Sequence, residues 1–140
     1  MIIAVTGWRG YTDAAFIRNQ LMIYNSLRAC SMHGPLHVRV GDALGADAIT
    51  LRWCLENKVS HHVFYADWGN SQLRAGPQRN RRMLRGDGDR VAGRTGLLMA
   101  FPRPGGPAIR VPGSGTWGCC IEAYQQGIRV EIPAYRNSGE

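Results

Sequence analysis

The sequence predicts a single α/β domain over residues 1–140, with a Rossmann-like, doubly wound, mainly parallel five-stranded sheet and helices on both faces. Three observations carry this. Short apolar runs alternate with stretches whose apolar residues recur at a 3.6-residue period, the links between them are mostly short and glycine-rich, and 140 residues leave room for one compact core. Such alternation implies right-handed crossovers and a sheet covered on both sides. Ligands of these sheets sit outside the carboxyl ends of the strands, where strand order reverses, often beside the first strand.

Residues 2–6 (IIAVT) are an apolar run ended by Gly7, as a buried parallel strand requires, and Thr12 and Asp13 offer N-caps for the helix that follows. In that helix Ile17, Leu21, Tyr24 and Arg28 share one row and Phe16, Ile23 and Leu27 the next, with an end near Gly34 and Pro35. Strand two is expected at 36–40, followed by the turn GDALGAD (41–47) and a helix whose buried row is Ala48, Leu51 and Leu55. Val63, Phe64 and Tyr65 favour a third strand near 62–66. A loop over 67–76 leads to a helix whose body includes 79–84, and 86–93 is expected to be a flexible turn. Strand four is placed at 96–101. A proline- and glycine-rich loop (102–113) then leads to GSGT (113–116), a last helix striped by Trp117, Ile121 and Tyr124 and closed at Gly127, and a fifth strand at 129–132.

Composition narrows the function classes. A hydrophobic fraction of 44% without low-complexity tracts argues against disorder, and the first apolar run is too short for a signal segment or a membrane span. A soluble, cytoplasmic protein without a membrane partner is expected. Cys30, Cys54, Cys119 and Cys120 form no CxxC pair, and His61 and His62 are adjacent strand residues pointing to opposite faces, so neither a disulfide nor a metal site is expected. The net charge of +7 is almost entirely arginine, and nine arginines fall between positions 74 and 110. That density suits a solvated face, a polyanion surface or a small-anion site.

Two glycine-rich turns open helices, at 41–47 and 113–116, where backbone amides and the helix dipole favour an anion. Neither turn matches the phosphate loop of kinases, which needs a lysine followed by serine or threonine, nor the full dinucleotide fingerprint. No cofactor is implied. Trp8 stands beside the first loop, where it suits either stacking on a base or packing in the core.

The ordered set VTGWRxxTD, GDALGAD, AGPQRNRRM and FP followed by GSGT resembles the SLOG superfamily, in its YspA-type branch, over residues 2 to about 130. The superfamily includes the Lonely-guy phosphoribohydrolases and the DNA-processing protein A. The resemblance implies a pocket for a small nucleotide or ribose-phosphate ligand, with Gly7 and Arg9 beside it after strand one. It adds Gly41, Asp42, Gly45 and Asp47 from the second loop, the Asp47 carboxylate accepting ribose hydroxyls or serving as an N-terminal helix residue. Arg79 and Asn80 match the family's arginine motif, and Gly113, Ser114, Gly115 and Thr116 its phosphate-cradling turn. Where Lonely-guy enzymes carry a glutamate three residues after that threonine, this chain has Cys119, either a packing residue or a thiol of lowered pKa at a helix start.

Three functions follow as expectations. The first is a non-catalytic sensor or sponge for a nucleotide signal such as ADP-ribose or a cyclic relative; the resemblance ties this to antiviral defence and to a phage protein that removes the signal. The second is an N-glycosidic bond hydrolase, for which Asp47 and Glu122 are the leading catalytic candidates, with Asp13 and Asp42 behind them. The third is a nucleic-acid module. The family resemblance also implies a homo-oligomer formed through helices near the pocket.

Overall fold

The computed structural model describes residues 1–27, 34–69, 74–103 and 115–133. Among the described residues five strands and four helices alternate. They are β1 (Ile2–Gly7), α1 (Ala14–Leu27), β2 (His37–Gly41), α2 (Ala46–Glu56), β3 (Ser60–Phe64), α3 (Ala75–Arg85), β4 (Leu97–Phe101), α4 (Gly115–Gln125) and β5 (Arg129–Glu131). Every strand pairing is parallel, in the order β3-β2-β1-β4-β5. The predicted fold class is the observed one. Because β2 and β3 lie to one side of β1 and β4 and β5 to the other, strand order reverses at β1, the point at which sheets of this kind bind ligands beyond the carboxyl end.

Strand alternation divides the core into two layers. Ile3, Val5, Val38, Met99 and Phe101 point to one face and pack with Ile17 and Leu21 of α1 and Trp53 of α2. Ala4, Leu98 and Ala100 point to the other, against Met83 and Leu84 of α3 and Cys119 and Ala123 of α4. Asp13 Oδ1 accepts the Phe16 N–H at 3.2 Å, so it caps α1 as expected. Among the described residues no helix is long and apolar enough to cross a membrane, and no group of three or more histidines, cysteines or acids is arranged for a metal.

Several expected details shift. In α2 the buried row is Ala46, Thr50, Trp53 and Cys54, and Leu55 is 61% exposed. Both this row and 48-51-55 satisfy a helical period. Rotation is decided by the entry, where the Ala46 N–H donates to the Trp8 carbonyl at 3.3 Å and pins that residue beneath the first loop. In α1 the first row holds through Ile17 and Leu21, while Ile23 and Leu27 of the second are about half exposed. β3 stops at Phe64, opposite Gly41, because β2 offers no further pairing edge; Tyr65, with its high strand propensity, is left 68% exposed. On α4, Tyr124 is exposed and the buried residues are Thr116, Cys119, Cys120 and Ala123.

The segment expected as a flexible turn, 86–93, is anchored instead. Arg39, fully buried in β2, donates from Nε to Asp89 Oδ2 (2.8 Å), from Nη1 to Thr95 Oγ1 (3.2 Å) and from Nη2 to the Val91 carbonyl (2.9 Å). His37 Nε2 donates to the same Asp89 oxygen at 2.7 Å, and its Nδ1 lies 2.7 Å from Ser60 Oγ. Burial lowers the His37 pKa more than Asp89 raises it, so the ring is neutral and accepts from Ser60. Burial on its own raises the Asp89 pKa, but the Val91 N–H, Arg39 and His37 outweigh it and bring the carboxyl down to about 2.

Asp89→Ala leaves the Arg39 guanidinium buried without a counter-charge and is expected to cost about 3–5 kcal/mol in urea unfolding. The Asp89 carboxyl titrates below its ordinary value of 3.8, so its contribution is full above about pH 4 and lost as pH falls toward 2. Unfolding free energy of the parent should therefore drop across that window more steeply than that of the variant.

Candidate functional site

The crevice is built by three loops brought into contact by their backbones. The Trp8 N–H donates to the Phe101 carbonyl at 2.9 Å, tying the end of β1 to the end of β4, and the Trp8 carbonyl accepts from Tyr11 and Ala46. Gly45 meets this loop head-on. Its φ is +69°, and a Cβ there would lie 2.5 Å from the Trp8 oxygen and the Arg9 carbonyl group, so only glycine fits.

Gly41 does the same for side chains. A Cβ at this last residue of β2 would stand 2.8 Å from Asp47 Oδ2 and 3.0 and 3.1 Å from Cζ and Nη1 of Arg79. The carboxylate from α2 and the guanidinium from α3 thus converge over a bare backbone. Arg79 Nη1 also donates to Asp42 Oδ1 at 2.6 Å, and Arg79 Nε to Asn80 Oδ1 at 3.3 Å. Asp42 additionally accepts the Ala66 N–H at 3.4 Å, linking the loop after β2 to the end of β3.

Asp47 is 5% exposed and accepts the Ala43 N–H through Oδ2 at 3.2 Å. Burial raises its pKa to about 6; Arg79, the Ala43 amide and the more distant Arg9 restrain the rise, while Asp42 adds to it. The wall opposite is α4, where Thr116 and Cys119 are buried. The Cys119 thiol stands beside the Thr6 hydroxyl and within the field of Arg79 and Asp47; burial pushes it up to about 12, so it is a neutral packing group, not an activated thiol.

These contacts bring Gly41, Asp42, Asp47, Arg79 and Asn80 together at the end of β2 and set Gly45 against the Trp8–Arg9 backbone; Gly7 ends β1, Arg9 is exposed, and Thr116 is buried in α4. Gly115 opens α4 on the surface, whereas Gly113 and Ser114 lie outside the described residues, as does most of the 102–113 loop. Trp8 is partly buried against the core, with the Arg103 guanidinium 5.3 Å from its ring centroid. Two of the acidic candidates are occupied elsewhere: Asp13 caps α1, and Glu122 accepts from Arg81 (3.0 Å) and Gln126 (3.1 Å) on the outer seam of α3 and α4. Thr6 was not singled out by its residue type. Its position two after Ala4, on the same strand face, was the available signal.

No protein-family model matches the chain, and no curated protein matches it. Among solved structures, the X-ray structure of DNA processing protein A from Streptococcus pneumoniae matches with a TM-score of 0.63 at 17% sequence identity. Its fold is similar to that of DNA processing protein A. The match covers 98% of this chain and 52% of that one, so the chain spans about half the length of that protein. At this identity the likeness concerns the backbone: a parallel α/β sheet of Rossmann-like form.

Two outcomes test the site geometry. Ionised Asp47 is disfavoured by folding, so its penalty grows as pH rises from about 4 to 6 and is constant above. Asp47→Asn is therefore expected to stabilise the unliganded protein at pH 8 by roughly 1–3 kcal/mol, seen as a raised melting temperature, with little gain at pH 4. Gly41→Ala, which displaces Asp47 or Arg79, is expected to leave the circular dichroism spectrum unchanged and to lower the melting temperature, with a loss of about 1–3 kcal/mol.

Proposed function

We propose that the chain binds a ribonucleotide or ADP-ribose-type ligand, with the ribose hydroxyls on Asp47 and Arg79 and the phosphate toward the start of α4, and that it senses or sequesters a nucleotide signal as a YspA-type SLOG domain. The observation that carries this reading is the meeting of Asp47 and Arg79 over Gly41 at the reversal point of the sheet. A vicinal diol has two O–H donors, which an ionised carboxylate accepts together, while a guanidinium donates to the hydroxyl lone pairs. Arg79 is already neutralised by Asp42, and a second carboxylate stands beside it. That balance suits hydroxyls better than a phosphate. A phosphate is served better by the first turn of α4, where amides and the dipole favour an anion.

Two further readings each rest on one observation. The raised pKa of Asp47 suits a general acid or base, which favours an N-glycosidic bond hydrolase. Against it, Cys119 is a neutral thiol where a carboxylate would support an oxocarbenium-like centre. The exposed Arg74, just before α3, and Arg81, Arg82 and Arg85 on it, beside the exposed rings of Tyr65 and Trp68, favour a nucleic-acid surface, as does the name of the structural neighbour. A homo-oligomer is supported by the exposed Ile23 and Leu27 of α1 and Leu55 of α2.

The deciding experiment incubates the protein with AMP, ADP-ribose, cyclic ADP-ribose and NAD, filters it, and identifies both fractions by mass spectrometry. Intact compound released only on denaturation is the expected result. Free base with ribose phosphate would make the protein a hydrolase, and retention of none of the four would overturn the nucleotide reading and leave salt-sensitive binding to DNA as the next test. For a retained compound, Arg79→Ala and the 2′-deoxy analogue should each lower affinity about tenfold or more with the fold intact.

A further inference from the structure

The helix α2 turns Asp47 toward the crevice and presents its opposite side, Ala48, Ile49 and Arg52, to the first turns of α1. Between the two helices lies a cleft of 340 Å³, within the range of about 300–1,000 Å³ usual for small-molecule sites. Tyr11 and Ile49 give it apolar walls. Its charged groups are the guanidiniums of Arg18 and Arg52, one from each helix, and no acidic side chain lines it.

The two guanidiniums of the cleft keep donors for a ligand. Arg18 is paired with Glu56, both about half exposed, while Arg52 is exposed and has no partner among the described residues. Trp53 also lines the cleft. It is 1% exposed, and its indole Nε1 is one of two buried side-chain polar atoms among the described residues that lack a hydrogen-bond partner. A buried donor left unpaired is costly, and native proteins rarely leave one without a reason.

We propose that this cleft is a second binding site, for a small organic anion with an apolar body and a terminal oxyanion, either a carboxylate or a phosphate monoester. The oxyanion takes the fork of Arg52, shared with Arg18 across the cleft, since guanidinium groups match both anions bidentately. The apolar body fills the space between Tyr11 and Ile49 and lies against Trp53. Arg79 does not line the cleft, which meets the crevice at Gly45.

The test titrates phenyl phosphate and phenylacetate separately, by calorimetry and by the indole N–H resonances, the Trp53 signal being assigned with Trp53→Phe. The protein is used as wild type, Arg52→Gln, Ala48→Trp and Arg79→Ala. Positions 52 and 48 are exposed, so these variants keep the parent fold, which their melting temperatures check. At least one probe is expected to bind and to move the Trp53 resonance; Arg52→Gln weakens it about tenfold or more, Ala48→Trp blocks it, and Arg79→Ala leaves it unchanged. Preference between the two probes assigns the oxyanion. The proposal is overturned if neither probe binds, if binding survives both Arg52→Gln and Ala48→Trp, or if Arg79→Ala is the variant that loses it.

Discussion

The buried pair of Arg39 and Asp89 holds α3 to the sheet, and the position of the crevice follows from it. A guanidinium in the second strand of a sheet covered on both faces has no access to water, so every donor must be paired within the protein. The segment after α3 supplies those partners: Asp89, the Val91 carbonyl and Thr95. Gly86, which ends the helix in the left-handed conformation, is the residue against which Arg39 packs; a Cβ there would lie 2.6 Å from Nη2. The carboxyl end of α3 is thereby fixed over the amino half of β2. The other end of the helix then lies over Gly41, where Arg79 meets Asp47.

The crevice stores the opposite kind of electrostatics. At Arg39 the charges are matched and the carboxyl is driven to ionise, whereas Asp47 is buried with an incomplete set of partners and resists ionisation. A carboxylate left partly unsatisfied costs stability in the empty protein. That cost is what a hydrogen-bond-donating ligand can recover on binding. Cys119 contributes by what it lacks: as a neutral thiol beside Thr6 it adds no second buried charge near Asp47.

The structural likeness to DNA processing protein A is a likeness of fold. Residues that build the crevice are set by loop contacts only a few atoms wide, such as Gly45 against the Trp8 carbonyl. The α1–α2 cleft has another origin. It exists because α2 is rotated by its anchoring at Ala46, which turns Ile49 and Arg52 toward α1 and leaves Leu55 outside.

Local patterns in the sequence determined the element order, the fold class and the loops that form the crevice, because apolar periodicity and glycine-rich turns are written within windows of a dozen residues. Gly41, Gly45 and Asp47 stood out as members of the glycine-rich turn after the second strand, and Arg79, on α3, through the family resemblance of its motif. Tertiary structure alone decided the rest. It chose between two equally periodic faces of α2, ended β3 where its neighbour ended, and converted the 86–93 segment from an expected flexible turn into an anchored one. It also left Tyr124 outside and occupied Glu122 with Arg81. Each of these depends on a partner far away in the chain, as Arg39 depends on Asp89, and pairing across such a distance leaves no trace in local composition or spacing.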